Sequence, residues 1–498
     1  MSDPVSVEPR RPLLWPDVAY QLQDVLDDYP SQVYIVGGAV RDAYLHRPIH
    51  DIDLAVSSNA IALARMIANA LDGDFFVLDD ERDAGRALVD TPDGRMVIDV
   101  TRFRAADLGA DLLERDFTLN AIAVDIRDLS RIIDPLDGQR DIGAKVLRRC
   151  APTSISSDPI RALRAVRQSV QFGLRIEAET LSDIRFHAPR LAETSLERVR
   201  DEFFKLLSIP NPASALRIAD TLGVLRAIIP EIELLHGREQ PPPHVFDAWR
   251  HTLAVIEALS QIAAAVSYSR TDNTAATFGI GMIVIQLDRF RASLNAHLNV
   301  QWPNERSHLA LLMLAVLLHE AGATPPTNAI RRSANGDDNT NAELAGRRVD
   351  ALRLSNGERQ RLLKIIQHQD HPIFWQQDVS RRDMYRFWRR LDAAGVDVCL
   401  FTLADYRGAV GSTLDQDRWL SLVDRVRLLL EAYFEHYDEW IAPPMLVDGN
   451  QLMEALGLRP GRMVGKLLEM IREGQAAGEI RTAEEALYLV RQYLDHHK

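Results

Sequence analysis

The chain is 498 residues long, 46% apolar and 26% charged, with a net charge of −13. That length implies about three domains, and the balance is that of a soluble globular protein with material for several cores. The acidic total excludes generic polyanion binding through the whole surface, because the long-range field repels phosphates. Any nucleic-acid contact must use a local basic patch.

Cys150 and Cys399 are the only cysteines and lie far apart, so neither a disulfide partner nor a cysteine metal site is expected. The N-terminal stretch MSDPVSVEPRRPLLW has no apolar signal core. The longest apolar run, Leu309 to Leu318, is about half the length that spans a bilayer. The expectation is a cytoplasmic protein with no membrane partner.

After a loose leader over residues 1 to 14, Pro16 to Leu26 reads as a helix, with Val18, Leu22 and Val25 near helical spacing. The stretch from Val33 to Val56 is the densest in chemistry. A short apolar strand, Val33 to Val36, meets Gly37-Gly38; a helical segment carries Arg41-Asp42; a second strand carries Asp51 and Asp53. Strand alternation turns the two aspartates to one face. Carboxylates forced together repel unless a cation lies between them, which fits a hard divalent metal such as Mg²⁺. The glycines let backbone N–H groups approach an anion, and the helix start behind them adds a favourable dipole. Together these features point to a nucleotide triphosphate with its metals. The alternative is a Rossmann-like turn followed by two solvated aspartates.

Ala60 to Leu71 is an amphipathic helix ended by Asp72-Gly73, and strands follow at Phe75 to Leu78, Arg86 to Val89 and Met96 to Val100, the last through the turn Thr91-Pro92-Asp93-Gly94. Asp99 interrupts an apolar run, which is costly unless it is paired or bound to metal. Between Leu113 and Asp125, Arg115, Asp116 and Asn120 offer one cation and two side chains that can bond a ribose; the same segment also reads as a helix capped by Asp116. From Arg140 to Arg167 seven basic residues face two acidic ones, the local patch that the acidic total demands. Ser156-Ser157-Asp158-Pro159 is a helix start, after which Arg161, Arg164 and Arg167 share one side. The competing reading of these arginines is a solvated face.

Beyond Gly173 the chain is helical almost throughout, with a boundary at Gly237 to His244. His244, His251, His319, Glu320, His368 and His371 form a scattered constellation that can bind metal, although no HExxH or HxxxH spacing occurs among them. Pro325 to Glu343 reads as a mobile polar loop. After Pro443-Pro444 a compact tail places Arg459, Arg462 and Lys466 near a helix start, where they suit an RNA backbone.

The ordered set GGAVRD, DIDL, ERDFTLNAIA, DPLDGQRDI, DPIRALRAVR and LERVRDEFFKLL resembles the bacterial class II tRNA nucleotidyltransferase (CCA-adding enzyme) and poly(A) polymerase family, over about residues 14 to 235 and again at 443 to 495. The resemblance implies an α+β chain: a polymerase-β-like nucleotidyltransferase head (1–145), then an all-helical neck (146–236), a degenerate HD-like domain (237–378), and a body and tail (379–498). It implies an enzyme that adds CMP and AMP from CTP and ATP to tRNA 3′ ends with Mg²⁺. By position, Asp51 and Asp53 would ligate two metal ions, with Asp99 a third carboxylate. Gly37, Gly38 and Arg41 would lie along the triphosphate, and Arg115, Asp116 and Asn120 would face the ribose. Asp158 and Arg161, with Arg164 and Arg167 behind them, would read the base edge.

Three departures stand out. Ser157 replaces a usual Glu, Glu114 replaces a usual Arg, and His319-Glu320 replaces a His-Asp pair. The alternatives are poly(A) synthesis, partial CC- or A-only addition, or an HD-type phosphohydrolase acting on cyclic nucleotides or phosphomonoesters.

Overall fold

The computed structural model describes residues 6–496 apart from 93, 269, 271–276, 304, 323–338 and 377. Contacts divide the chain into two compact units, Met1–Val199 with Ile218–Ile228, and Arg200–Arg217 with Ile229–Lys498. The class is α+β as expected: a sheet-bearing head, with helices making up nearly all of the rest.

The first unit begins with α1 (Asp17–Leu26), β1 (Val33–Val36), α2 (Gly38–Leu45), β2 (Asp51–Val56) and α3 (Ala60–Ala70). β3 (Asp74–Asp79), β4 (Ala84–Thr91) and β5 (Gly94–Arg102) complete one half of a six-stranded sheet of order β3-β4-β5-β2-β1-β6, with β6 at Ala123–Asp125. β2 and β5 run parallel, and every other neighbouring pair is antiparallel. β1 is buried along its whole length, as its unbroken apolar run requires. α3 buries Ala60, Leu63, Ala64, Ile67 and Ala68, the spacing of one helical face. That face lies so close to β4 that a Cβ at Gly85 would come within 2.8 Å of the Ala64 Cβ.

Between β5 and β6 lie α4 (Leu108–Leu113) and a single 3₁₀ turn at Thr118–Asn120. A helix starting at Asp116 is therefore not formed. The chain straightens instead, because Ala123 to Asp125 pair with Tyr34 to Val36 and satisfy the backbone as sheet.

After α5 (Gly138–Gly143), the helix start expected at Ser156-Ser157-Asp158-Pro159 leads into α7 (Ile160–Phe172), with a separate short helix α6 (Ser154–Ser157) before it. Pro159 is the reason for the break. A residue before proline is driven out of the helical region, and Asp158 is extended, with φ −145° and ψ 92°. α7 ends where Gly173 turns left-handed at φ 63°.

Among its described residues, the secondary structure of the second unit is helical apart from a two-stranded pair, Gln301–Trp302 with Arg306–Ser307. The apolar run at 309–318 is its central helix, His308–Leu318, buried on all sides from Ala310 onward. No described helix is long and apolar enough to cross a membrane. Of the polar segment expected as a mobile loop, residues 325–338 lie outside the described residues, while Asn339–Ala351 is a helix. In the tail, helices Gly449–Leu456, Arg462–Ala476 and Ala483–His496 enclose Leu452, Leu467, Ile471 and Val490. Cys150 and Cys399 are both free.

Candidate active site

The head sheet brings three of the singled-out carboxylates together. In the parallel β2–β5 register Asp53 lies level with Asp99, and in the antiparallel β1–β2 register it lies level with Val36, the last residue before Gly37. Asp51 is exposed at the strand end, and Asp53 is half-buried. Burial, and then the neighbouring charge of Asp51, push the Asp53 carboxyl up from 3.8 to about 6; Asp99 adds to the rise, while Arg115 and Arg104 oppose it. Asp99 is held by Arg86 of β4 in a two-pronged pair, with Nε donating at 2.7 Å and Nη2 at 2.9 Å. A partner was one of the two ways to offset the cost of that aspartate, and Arg86 supplies it.

Gly37 closes the site from the β1 side. Its φ of 76° suits glycine, and a Cβ there would come within 3.0 Å of Arg115 Nη1 and 3.4 Å of Asp53 Oδ2. Gly38 opens α2, with Arg41 Nη2 3.5 Å from where its Cβ would be. Arg41 itself is clamped. Nε and Nη2 donate to Asp42 at 3.0 and 2.6 Å, Nη1 donates to Asn120 Oδ1 at 2.7 Å, and the guanidinium lies 4.4 Å over the Phe172 ring.

The Arg115 guanidinium is oriented by Asp111 one helical turn earlier, at 3.1 Å. Asp116 is buried. Burial alone would raise its carboxyl, but Arg164 at 2.8 Å, the Asn120 amide and the Phe117 N–H hold it below its ordinary value. Arg104 adds a cation beside Arg115; its guanidinium makes no ion pair among the described residues, and burial and Arg115 lower its proton affinity.

The pair expected to read the base is placed on either side of Pro159. Asp158 accepts from Arg198 Nη2 at 2.7 Å. Arg161 donates Nη1 to the carbonyls of Arg115 and Ser154 and Nη2 to that of Glu114, which leaves two of its five N–H donors free. The Ser157 hydroxyl donates to Ser154 O and does not reach Arg161. Arg164 thus binds Asp116, while Arg167 turns back to Gln171 at 2.8 Å. In the tail, Arg459 and Arg462 are exposed, and Lys466 lies 5.0 Å over the Tyr493 ring.

In the second unit the histidine constellation divides. His251, His319 and Asp405 present ligand atoms within 4.8 Å of one another, as do His244, His251 and Glu320. His251 Nε2 meets Asp405 Oδ1 at 3.1 Å, and His319 Nε2 lies 3.8 Å from the same oxygen. His319 donates Nδ1–H to Val316 O at 2.6 Å, which leaves Nε2 as the lone-pair nitrogen, buried and without a hydrogen-bond partner. Burial keeps His319 below its ordinary proton affinity; at His251 burial is again the largest effect, but the hydrogen bond and charge of Asp405, with the charge of Glu320, together raise it. Glu320 is taken by Arg238 and Gln240, at 2.8 and 2.6 Å. His368 and His371 face each other at 6.1 Å, outside that group.

Sequence reasoning missed Arg86, Arg104, Asp111, Gln168, Arg198 and Asp405. Two were within reach. Counting back from the turn that pairs Thr91 with Gly94 sets Arg86 against Asp99, and Asp111 stands four residues before Arg115. Asp405 is an acid inside an apolar helix, the same signal that drew attention to Asp99.

Comparison with known proteins finds matches to two family models in the first half of the chain. Residues 33–148 match the "Poly A polymerase head domain", and residues 173–235 match the "Probable RNA and SrmB- binding site of polymerase A". The chain is 30% identical over 483 residues to the A-adding tRNA nucleotidyltransferase of Deinococcus radiodurans, covering 94% of this chain and 97% of that one. It is 29% identical over 465 residues to the CC-adding tRNA nucleotidyltransferase of Geobacter sulfurreducens, covering 93% and 92%. A solved CCA-adding enzyme in complex with ATP shares the fold, with TM-score 0.61, 20% identity and coverage of 96% and 95%.

The Asp53 shift has a signed consequence. Its folded value of about 6 lies above the ordinary 3.8, so the folded state holds the proton more tightly, and stability is lost as pH rises through that window. In chelator-containing buffer, Asp53→Asn is expected to raise the thermal midpoint at pH 7, with the difference closing by pH 4. Equal midpoints at pH 7 would contradict this.

Proposed function

The chain belongs to the tRNA nucleotidyltransferase and poly(A) polymerase family of nucleotidyltransferases, and on that premise we propose that it adds CMP and AMP from CTP and ATP to the 3′ end of tRNA. The observation that carries this reading is the crowding of Asp51, Asp53 and Asp99 beside a glycine turn, with Arg104 and Arg115 facing Asp53. A carboxylate pushed up to about 6 by burial and by Asp51 is one whose ionised form gains from a cation. The donor set, hard and acidic, fits Mg²⁺. Asp51 and Asp53 would hold it, with Asp99 kept in place by Arg86. Bound Mg²⁺ would activate the RNA 3′-hydroxyl and stabilise the departing pyrophosphate.

The protein's own part is to place charge. Gly37 and Gly38 leave room for the triphosphate to approach backbone, and Arg104 and Arg115 offset its negative charge. Arg41, Asp116 and Asn120 shape the ribose side. The free donors of Arg161 and the second carboxylate oxygen of Asp158 give a donor and acceptor set suited to the base edge of a single-stranded end. Arg164 and Arg167 extend the basic face, and Arg459, Arg462 and Lys466 would meet the RNA backbone. In this reading the chain works as four segments, 1–145, 146–236, 237–378 and 379–498.

Partial addition is a second reading. The relatives that match along nearly the whole chain are named as A-adding and CC-adding enzymes. Hydrolysis at the His251, His319 and Asp405 cluster is supported separately by the unpartnered His319 Nε2.

With tRNA lacking its 3′ terminus, labelled CTP or ATP should be incorporated by the wild type and not by Asp53→Ala; unchanged incorporation by the variant would contradict the assignment. Hydrolysis of a cyclic nucleotide, if this cluster performs it, should survive Asp53→Ala and disappear with His319→Ala. The reverse pattern removes that reading.

A further inference from the structure

One buried polar group of α7 is unused by the scheme above. Gln168 is 2% exposed, and its Oε1 accepts from Asn120 Nδ2 at 3.0 Å. The second Nδ2 hydrogen of Asn120 goes to Asp116 Oδ1 at 2.9 Å, and its Oδ1 accepts from Arg41 Nη1 at 2.7 Å. An asparagine amide has two donor hydrogens, so none is left for a ribose. Asn120 in this arrangement is a junction, and Gln168 takes up the donor that would otherwise be available.

Four residues further along the same helix face, Phe172 presents its ring to Arg41 at 4.4 Å and to Arg47 at 4.9 Å. Arg41 is therefore fixed from α7 twice, through the Gln168–Asn120 bond and by stacking on Phe172. Asp116 is fixed from the same helix by Arg164. The helix that carries Arg161 at its start thus also sets the nucleotide-facing groups of the head.

We propose that Gln168 is a positioning residue for nucleotide binding, acting through Asn120 on Arg41 and Asp116, with Phe172 as the second contact of the same device. This rests on the nucleotidyltransferase reading of the head. Removing the Gln168 oxygen leaves a buried Asn120 N–H without a partner, so the amide is free to turn away from Arg41. Loss of one such bond corresponds to about a fivefold weakening.

The test is Gln168→Met in the full chain, which keeps the volume and removes the acceptor. KM for CTP in transfer to truncated tRNA, and Kd for CTP in the absence of RNA, should each rise about fivefold, with kcat within about twofold and the thermal midpoint within a few degrees. Phe172→Leu should reproduce the shift in Kd. Unchanged KM and Kd in Gln168→Met, or a lowered midpoint and kcat with Kd intact, would overturn the proposal. Because the binding arm does not need transfer, a wild type that binds CTP without transferring it would overturn the proposed reaction alone.

Discussion

Everything at this site depends on one strand register. Parallel pairing of β2 with β5 sets Asp53 beside Asp99, while antiparallel pairing of β2 with β1 sets it beside the residue that leads into Gly37. Like charges at adjacent strand positions are unfavourable. The protein meets this in three ways: Arg86 pairs Asp99, Asp51 is left to solvent, and the Asp53 carboxyl moves up toward neutrality. The first two are complete within the chain. The third is the feature that a bound cation would relieve, and it supports the proposed metal and nucleotide site at this end of β2.

The arginines around it divide by what they touch. Asp116 is buried and its Arg164 partner half-exposed, so removing Arg164 would leave the carboxylate held only by the Asn120 amide and the Phe117 N–H. Arg164 is therefore as much a fold residue as a functional one. Arg161 bonds the carbonyls of Glu114 and Arg115 and fixes the backbone of the segment whose side chains are proposed to face the nucleotide. Arg104 makes neither kind of bond among the described residues, and burial and the neighbouring Arg115 lower its proton affinity.

Local pattern made much of the head legible. The apolar run of β1, the glycine pair, the spacing of α3 and the turn at Thr91 all point to the elements that form, within a residue or two. What local pattern does not carry is pairing between distant segments. Nothing near Asp99 says that β5 lies parallel to β2, and nothing near Asp158 says that Arg198, on the helix Leu196–Leu207, will hold it. One local reading gave way to a stronger constraint: the helix considered at Asp116 yielded to β6 pairing with β1. The helix start read at Ser156 to Pro159 is present, with α7 following Pro159 directly. The histidines were visible singly, yet the group that forms takes Asp405 and leaves out His368 and His371.

The account makes Asp51 and Asp53 the centre at which nucleotides are joined to an RNA end, with α7 choosing and holding what is added. The most direct measurement is the sequence of 3′ ends formed on tRNA lacking its terminal nucleotides after incubation with CTP and ATP together. The account predicts short, defined additions of CC, A or CCA by the wild type and none by Asp51→Ala. A long adenylate tail, or ends identical to the input, would contradict it.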